Sequence, residues 1–384
     1  MDTELKAVKP SPEAHKPESP SCDDRPLLKS DSNRSELSLE ELEKKYAAYV
    51  RRDVYGPMGR GELPLVEKLL LAVALVTLVP LRVAAAMVVL VTYYAICRVC
   101  TVFSAPNRDE EGDGQEDFAH MGGWRRAVMV WTGRLLSRAM LFVFGFYWIR
   151  ESSREVEGDD SLPNGCKGES ERPGVIVSNH VSHLDILYHM SSSFPSFVAK
   201  RSVAKLPMVG LISKCLGCVF VQRESKTPEF KGVSGIVTER IKEAHEDRSA
   251  PMMMLFPEGT TTNGNYLLPF KTGAFLARTP VLPVIIRYPY QRFSPAWDSI
   301  SGARHVVFLL CQFINYIEVV RLPVYYPSQE EMDDAKLYAH NVRRLMAREG
   351  NLTMSDIGLA EKRIYHAALN GNNSLPSVLH QKDE

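Results

Sequence analysis

Four short apolar runs limit what this 384-residue chain can fold into: Val175–Val177, Cys218–Val221, Met252–Phe256 and Val281–Arg287. Each is too short for a buried helix and each ends in polar or small residues, so each reads as a buried strand. Phe197–Ala199 is a further short strand. Between them lie residues at helical spacing: Ile186, Leu187 and Met190 after the first run, then Val233, Ile236, Val237, Ile241 and Ala244 before the third. Strands alternating with helices predict an α/β domain whose central sheet is mostly parallel or mixed, with helices on its flanks.

Open α/β sheets bind ligands beyond the carboxyl ends of their strands, and reactive residue types gather there in this sequence. The first run continues as Ser178-Asn179-His180-Val181-Ser182-His183-Leu184-Asp185, with a helical pattern from Ser182. His180 falls in the turn and Asp185 in the first helical turn. The carboxylate can then swing back to one imidazole nitrogen, leaving the other to face outward as a proton acceptor. Three plainer readings fit the same residues, the first being that a lone histidine near a strand end is more often structural than catalytic. Ser182-x-x-Asp185 matches a capping box, and His180, His183 and Asp185 have the donor types of a two-His-one-carboxylate iron site.

The other strand ends add charge. Arg223 leaves an apolar strand and offers a guanidinium fork suited to phosphate. Phe256-Pro257-Glu258-Gly259-Thr260 reads as a tight turn exposing backbone N–H groups, a carboxylate and a hydroxyl, which suits a polar headgroup or a developing oxyanion. Lys271, just after Pro269-Phe270, brings a second cation.

Lys+Arg and Asp+Glu both number 46, so no basic excess points to nucleic acid. Seven cysteines, an odd number with several in apolar runs, suggest a reducing environment rather than a disulfide framework. Cys97-x-x-Cys100 and Cys215-x-x-Cys218 have zinc spacing but no polar knuckle, and read as buried thiols. No metal ligands are assigned.

Residues 1–37 carry no apolar period and read as a disordered tail without a signal peptide. Residues 38–103 read as a membrane-associated segment. Ser38-Leu39-Glu40-Glu41 opens an amphipathic helix with Leu42, Tyr46 and Tyr49 on one face. Arg51, Arg52 and Arg60 suit a surface facing anionic lipid headgroups. Leu69–Cys97 is apolar except for Pro80-Leu81-Arg82 and is long enough to cross a bilayer. A guanidinium at the midplane costs about 2.5–3.5 kcal/mol on insertion scales. The sequence therefore favours a membrane-embedded hairpin bent at Pro80 and Arg82, both flanks on one side, over a single tilted span. Residues 104–123 form an acidic linker. Trp124–Ile149 mixes arginines with aromatics, as an interfacial helix does, and a buried amphipathic helix fits nearly as well. Glu151–Arg172 reads as a solvent loop. The catalytic domain is set at 124–327, and C-terminal helices with a polar tail at 328–384, where Ser328-x-x-Glu331 caps a helix running to about Glu349.

Taken in order, His-x4-Asp, Gly-x-x-Phe-x-x-Arg, Phe-Pro-Glu-Gly-Thr and Val-x-Pro-Val resemble the glycerophospholipid acyltransferase family over residues 124–290. Phe256–Asn263 with Phe270–Phe275, Arg287-Tyr288-Pro289 and Leu322–Tyr326 are similar to its lysophosphatidylcholine and plant lysophosphatidylethanolamine acyltransferase branch without EF-hands. The resemblance implies an O-acyltransferase at the endoplasmic reticulum membrane, its domain facing the cytosol. It would move an acyl group from acyl-CoA to the free hydroxyl of a lysophospholipid. His180 is then the general base and Asp185 its partner, with Arg223, Glu258, Gly259, Thr260 and Lys271 on the acceptor. Membrane lipids and acyl-CoA are the implied partners, acyl-CoA being a co-substrate, and no cofactor is implied. Glycerol-3-phosphate or lysophosphatidate acyltransferases share the four motifs, and a CoA-independent transacylase is a further alternative. A Ser-His-Asp hydrolase is disfavoured by the lack of G-x-S-x-G. Nothing in the sequence fixes an oligomeric state.

Overall fold

The structure, a computed structural model, describes residues 39–108, 116–154, 172–221 and 229–370. The 1–37 tail, Arg223 and the last residues of the polar tail lie outside them. All five expected strands enter one seven-stranded sheet. In chain order its strands are β1 (Ile149–Ser153), β2 (Val175–Ser178), β3 (Ser196–Lys200), β4 (Val219–Val221), β5 (Met253–Leu255), β6 (Val281–Arg287) and β7 (Ile317–Arg321). In space they run β1-β7-β6-β2-β5-β3-β4. The five from β6 to β4 are parallel, while β7 is antiparallel to β6 and parallel to β1. The sheet is therefore mixed. The sequence reading missed β1 and β7. Four of the five β1 residues are exposed, because it is an edge strand, and its polar composition reads as a loop.

Alternation along β2 explains the two helical layers. Val175 and Val177 pack with Val237 and Ile241 of α7 (Glu229–Glu246) and Tyr338 and Val342 of α10 (Ala335–Glu349). Ile176 packs on the other face with a larger layer. That layer holds α3 (Leu78–Thr101), α4 (Gly123–Val143), α5 (Leu184–Ser192), α6 (Val209–Leu216) and α8 (Gly302–Cys311). Helix α4 buries Met129, Gly133, Ser137 and Leu141, one residue every four, and leaves Trp124, Trp131, Leu135 and Phe142 exposed. A Cβ at Gly133 would run into the Phe194 ring just past α5 and the Tyr93 hydroxyl of α3, so glycine is what lets α4 pack against both.

The bend in the apolar segment lies elsewhere than expected. Helix α2 (Leu65–Val76) meets α3 at the single residue Thr77, and Pro80 sits inside the first turn of α3. Backbone N–H groups in a first turn have no intrahelical acceptor, so proline there begins a helix rather than breaking it. Arg82 is not at a bend. It is buried and donates to the carbonyls of Leu310, Gln312 and Phe313, capping the end of α8. Among the described residues α3 is the one helix long and apolar enough to cross a membrane. Arg51 is likewise no headgroup contact, being buried in ion pairs with Asp53 and Asp298.

Outside the sheet, α1 (Leu39–Lys45), the segment to Val50 and α11 (Leu359–Leu369) share a small core of Tyr46, Tyr49, Leu268 and Tyr365. Ser328 and Glu331 form the expected capping box on α9 (Gln329–Asp333). Asp334 then breaks the expected long helix and caps α10 through Lys336 N.

Candidate active site

The backbone leaving β2 is held open by Asn179. Its side chain accepts from Ile286 N at 2.8 Å and donates to Ile286 O at 2.9 Å, replacing a strand pair with β6 just where β2 ends. His180 follows, stacked at 4.0 Å on Phe256 at the end of β5. Its Nδ1 lies 2.9 Å from Asp185 Oδ2 at the start of α5. The same oxygen accepts from the backbone N–H groups of Val181 (2.8 Å) and Ser182 (3.0 Å), and Oδ1 accepts from Tyr288 Oη at 2.6 Å. Asp185 thus holds His180 and the backbone ahead of α5 together, but the expected capping box does not form: the helix begins after His183 with no side-chain cap, Asp185 N donates to Ser182 O, and Ser182 Oγ has no partner among the described residues. Besides His180, three donors (Val181 N, Ser182 N and Tyr288 Oη) converge on this fully buried acid, which is the environment of an acceptor-only carboxylate. Nδ1 of His180 therefore carries the proton and Nε2 is the free acceptor. The His180 side chain is 20% exposed, so the ring is not sealed in the core.

The turn after β5 grips the same residue. Glu258 Oε1 accepts from His180 N and Oε2 from Leu268 N, both at 2.8 Å, while Thr262 N donates to His180 O at 3.0 Å. Glu258 is 3% exposed, and burial pushes its carboxyl up to about 8 against the pull of those two N–H groups. It is turned inward, beneath His180, rather than toward open space. Gly259 has φ +71°, a left-handed conformation that favours glycine, and the alkyl chain of exposed Lys271 lies over it. Thr260 is half-buried in the same turn. The structure thus assembles His180, Asp185, Glu258, Gly259, Thr260 and Lys271 beyond the carboxyl ends of the two central strands β2 and β5. Arg223 lies outside the described residues, two positions beyond the end of β4.

His183 does not turn toward the Asp185 carboxylate. Its ring meets Trp297 and His305 edge-on at 5.8 and 5.2 Å, and burial lowers its pKa. Among the described residues no group of three His, Cys, Asp or Glu side chains is placed to hold a metal. Asn179 and Tyr288 were missed as site residues. A strand-end asparagine whose amide can pair both ways with a neighbouring backbone was the available signal for the first. Nothing local marks Tyr288, which reaches Asp185 across 103 positions.

The Acyltransferase family model matches residues 153–287. Lysophospholipid acyltransferase LPEAT1 of Arabidopsis thaliana is 65% identical over 95% of this chain and 96% of its own. The chain belongs to the lysophospholipid acyltransferase family. Membership makes it an O-acyltransferase. Lysophospholipid acyltransferase LPEAT2 of Arabidopsis thaliana is 33% identical over 64% of this chain and 42% of its own length. Lysophosphatidylcholine acyltransferase 1 of Danio rerio is 34% identical over 76% of this chain and 52% of its own.

Proposed function

We propose that this acyltransferase moves a fatty acyl group from acyl-CoA to the free hydroxyl of a lysophospholipid, lysophosphatidylethanolamine first and lysophosphatidylcholine second. The supporting observation is the partly exposed His180 whose Nδ1 is fixed on a four-donor Asp185. His180 Nε2 takes the hydroxyl proton as the oxygen attacks the thioester carbonyl. The tetrahedral intermediate collapses with cleavage of the carbon–sulfur bond, and the imidazolium returns its proton to the departing thiolate. Asp185 stabilises that imidazolium without accepting its proton. A thioester is already activated, so no covalent enzyme intermediate is needed. Gly259, Thr260 and Lys271, with Arg223, are the residues we assign to the acceptor. Glu258 acts one step back, by holding the His180 backbone.

The names of the relatives support the acceptor class, and the apolar faces of α2 and α3 support a membrane location. We place the chain at the endoplasmic reticulum with its domain in the cytosol, where acyl-CoA is found. The purified chain with labelled oleoyl-CoA and a panel of lysophospholipids, lysophosphatidate and glycerol-3-phosphate tests the assignment. The ethanolamine lysolipid should be the best acceptor, and His180→Ala should reduce turnover about 10²–10⁴-fold. A His180→Ala protein with wild-type turnover would refute the mechanism; preference for glycerol-3-phosphate would refute the acceptor.

A further inference from the structure

Two segments outside residues 153–287 close over the back of the catalytic turn. From the N-terminal side, Ala47 O and Val50 O accept from Asn263 Nδ2 at 2.8 and 3.0 Å, and Asn263 N donates to Ala48 O at 2.9 Å. From the C-terminal side comes Lys362 of α11, 8% exposed. Its ammonium lies 2.7 Å from Thr261 O, 2.7 Å from Thr261 Oγ1 and 3.2 Å from Trp297 O. Three N–H donors meet three acceptors, which is the full capacity of the group. Those acceptors sit on the two segments that hold the catalytic residue. Thr262, next to Thr261, donates its N–H to His180 O, and Trp297 N donates to Val181 O at 2.8 Å.

We infer that Lys362 is a positioning residue for His180, fixing through Thr261 and Trp297 the backbone from which the imidazole projects. The inference rests on His180 acting as the base. A hydrocarbon side chain filling the same space would pack as well but would leave Thr261 O without its side-chain donor in a buried site, and would leave Trp297 O with the Thr261 hydroxyl alone. The cation is retained at neutral pH. Burial pulls the amine down to about 8, opposed by the nearby Asp298 and Glu258 carboxyls. The other charged or titratable neighbours are His366, on the same helix, and the Tyr49 ring at 5.4 Å. None of these groups takes a Lys362 proton in place of Thr261 or Trp297.

A simple anchor and a positioning residue differ in what they do to turnover by folded protein. Full-length Lys362→Met, Lys362→Gln and Thr261→Val should be assayed with oleoyl-CoA and the preferred lysolipid, well below the Tm of each. The expected result for Lys362→Met is a 10- to 100-fold fall in kcat, with KM for both substrates within about twofold of wild type. If Lys362→Met fails to fold, Lys362→Gln and Thr261→Val carry the test. Each should lower kcat three- to tenfold, and the double variant should lose less than the product of the two. A folded Lys362→Met with wild-type kcat, or independent effects in the double variant, overturns the inference. His180→Ala in the same series separates the two failures: if it is active the mechanism falls, and if it is dead while the Lys362 variants are normal only the positioning role falls.

Discussion

Tyr288 shows how a single hydroxyl bears on the catalytic acid. It is the only donor given to Asp185 Oδ1 among the described residues, since the other three converge on Oδ2. Tyr288→Phe should therefore loosen the carboxylate without emptying its space. We expect about a tenfold loss of kcat, corresponding to about 1.4 kcal/mol, with KM unchanged; steady-state kinetics on both substrates checks it. Glu258 gives a prediction of a different kind. Its carboxyl is raised in the folded chain from an ordinary 4.5 to about 8, chiefly by burial. Between those values the folded state holds a proton that the unfolded chain has released. This contribution to stability is complete below about pH 4.5 and is lost as pH rises through 8. Lys362 acts oppositely at higher pH, its amine being lowered from 10.5 to about 8, so the two must be separated by substitution. The Tm of wild type minus that of Glu258→Gln should fall steadily from pH 5 to pH 9. A difference that does not change with pH would show that Glu258 is ionised throughout. At this scale His180 and Asp185 were legible because strand, turn and helix place them five residues apart. Glu258 was legible as a site residue but not in its direction, since that depends on which backbone N–H groups the turn meets after folding.

The same division holds among whole elements. Buried parallel strands announced themselves as continuous apolar runs, because both faces of β2 are covered. Edge strand β1 did not, because most of its residues face solvent. The apolar segment was recognised but bent in the wrong place. Proline was weighed as a breaker, whereas its effect depends on its distance from the helix start, which Thr77 sets. Two substitutions test the corrected account. Pro80 is exposed, and Pro80→Ala should shift stability by no more than about 0.5 kcal/mol. Arg82→Met removes the donors to three carbonyls at the end of α8 and should cost about 3 kcal/mol or more. Thermal unfolding of both in one detergent suffices. Equal effects would return the bend to Pro80 and Arg82.

For the molecule as a whole, the decisive relation is between α3 and the domain it rests on. Near its start Arg82 is fixed to the end of α8 and to Tyr147. Near its end Tyr93, Cys97, Cys100 and Thr101 are buried, and Arg125 of α4 donates to Val102 O just beyond it. Arg82 and Thr101 are 19 residues apart, about 28 Å at 1.5 Å per residue, which is nearly the thickness of a bilayer core. If α3 crossed the membrane, both of its ends would still be attached to one domain, and that domain would have to lie at bilayer depth with its polar edge exposed to hydrocarbon. An arrangement along the membrane surface avoids this. The outer faces of α2 and α3 (Leu69, Val73, Val76, Leu81 and Val88 among them) are exposed, as are Trp124 and Trp131 of α4, so one side of the molecule can sink into a single leaflet. Residues before α2 and after α3 should then share one side of the membrane. With Cys22 and Cys166 changed to serine, Arg60→Cys and Ser104→Cys can be introduced singly and exposed to a membrane-impermeant maleimide in sealed vesicles of one orientation. Both should label from the side that carries the domain. Labelling of the two positions from opposite sides would mean that α3 crosses after all, and that its contacts at one end open in the bilayer.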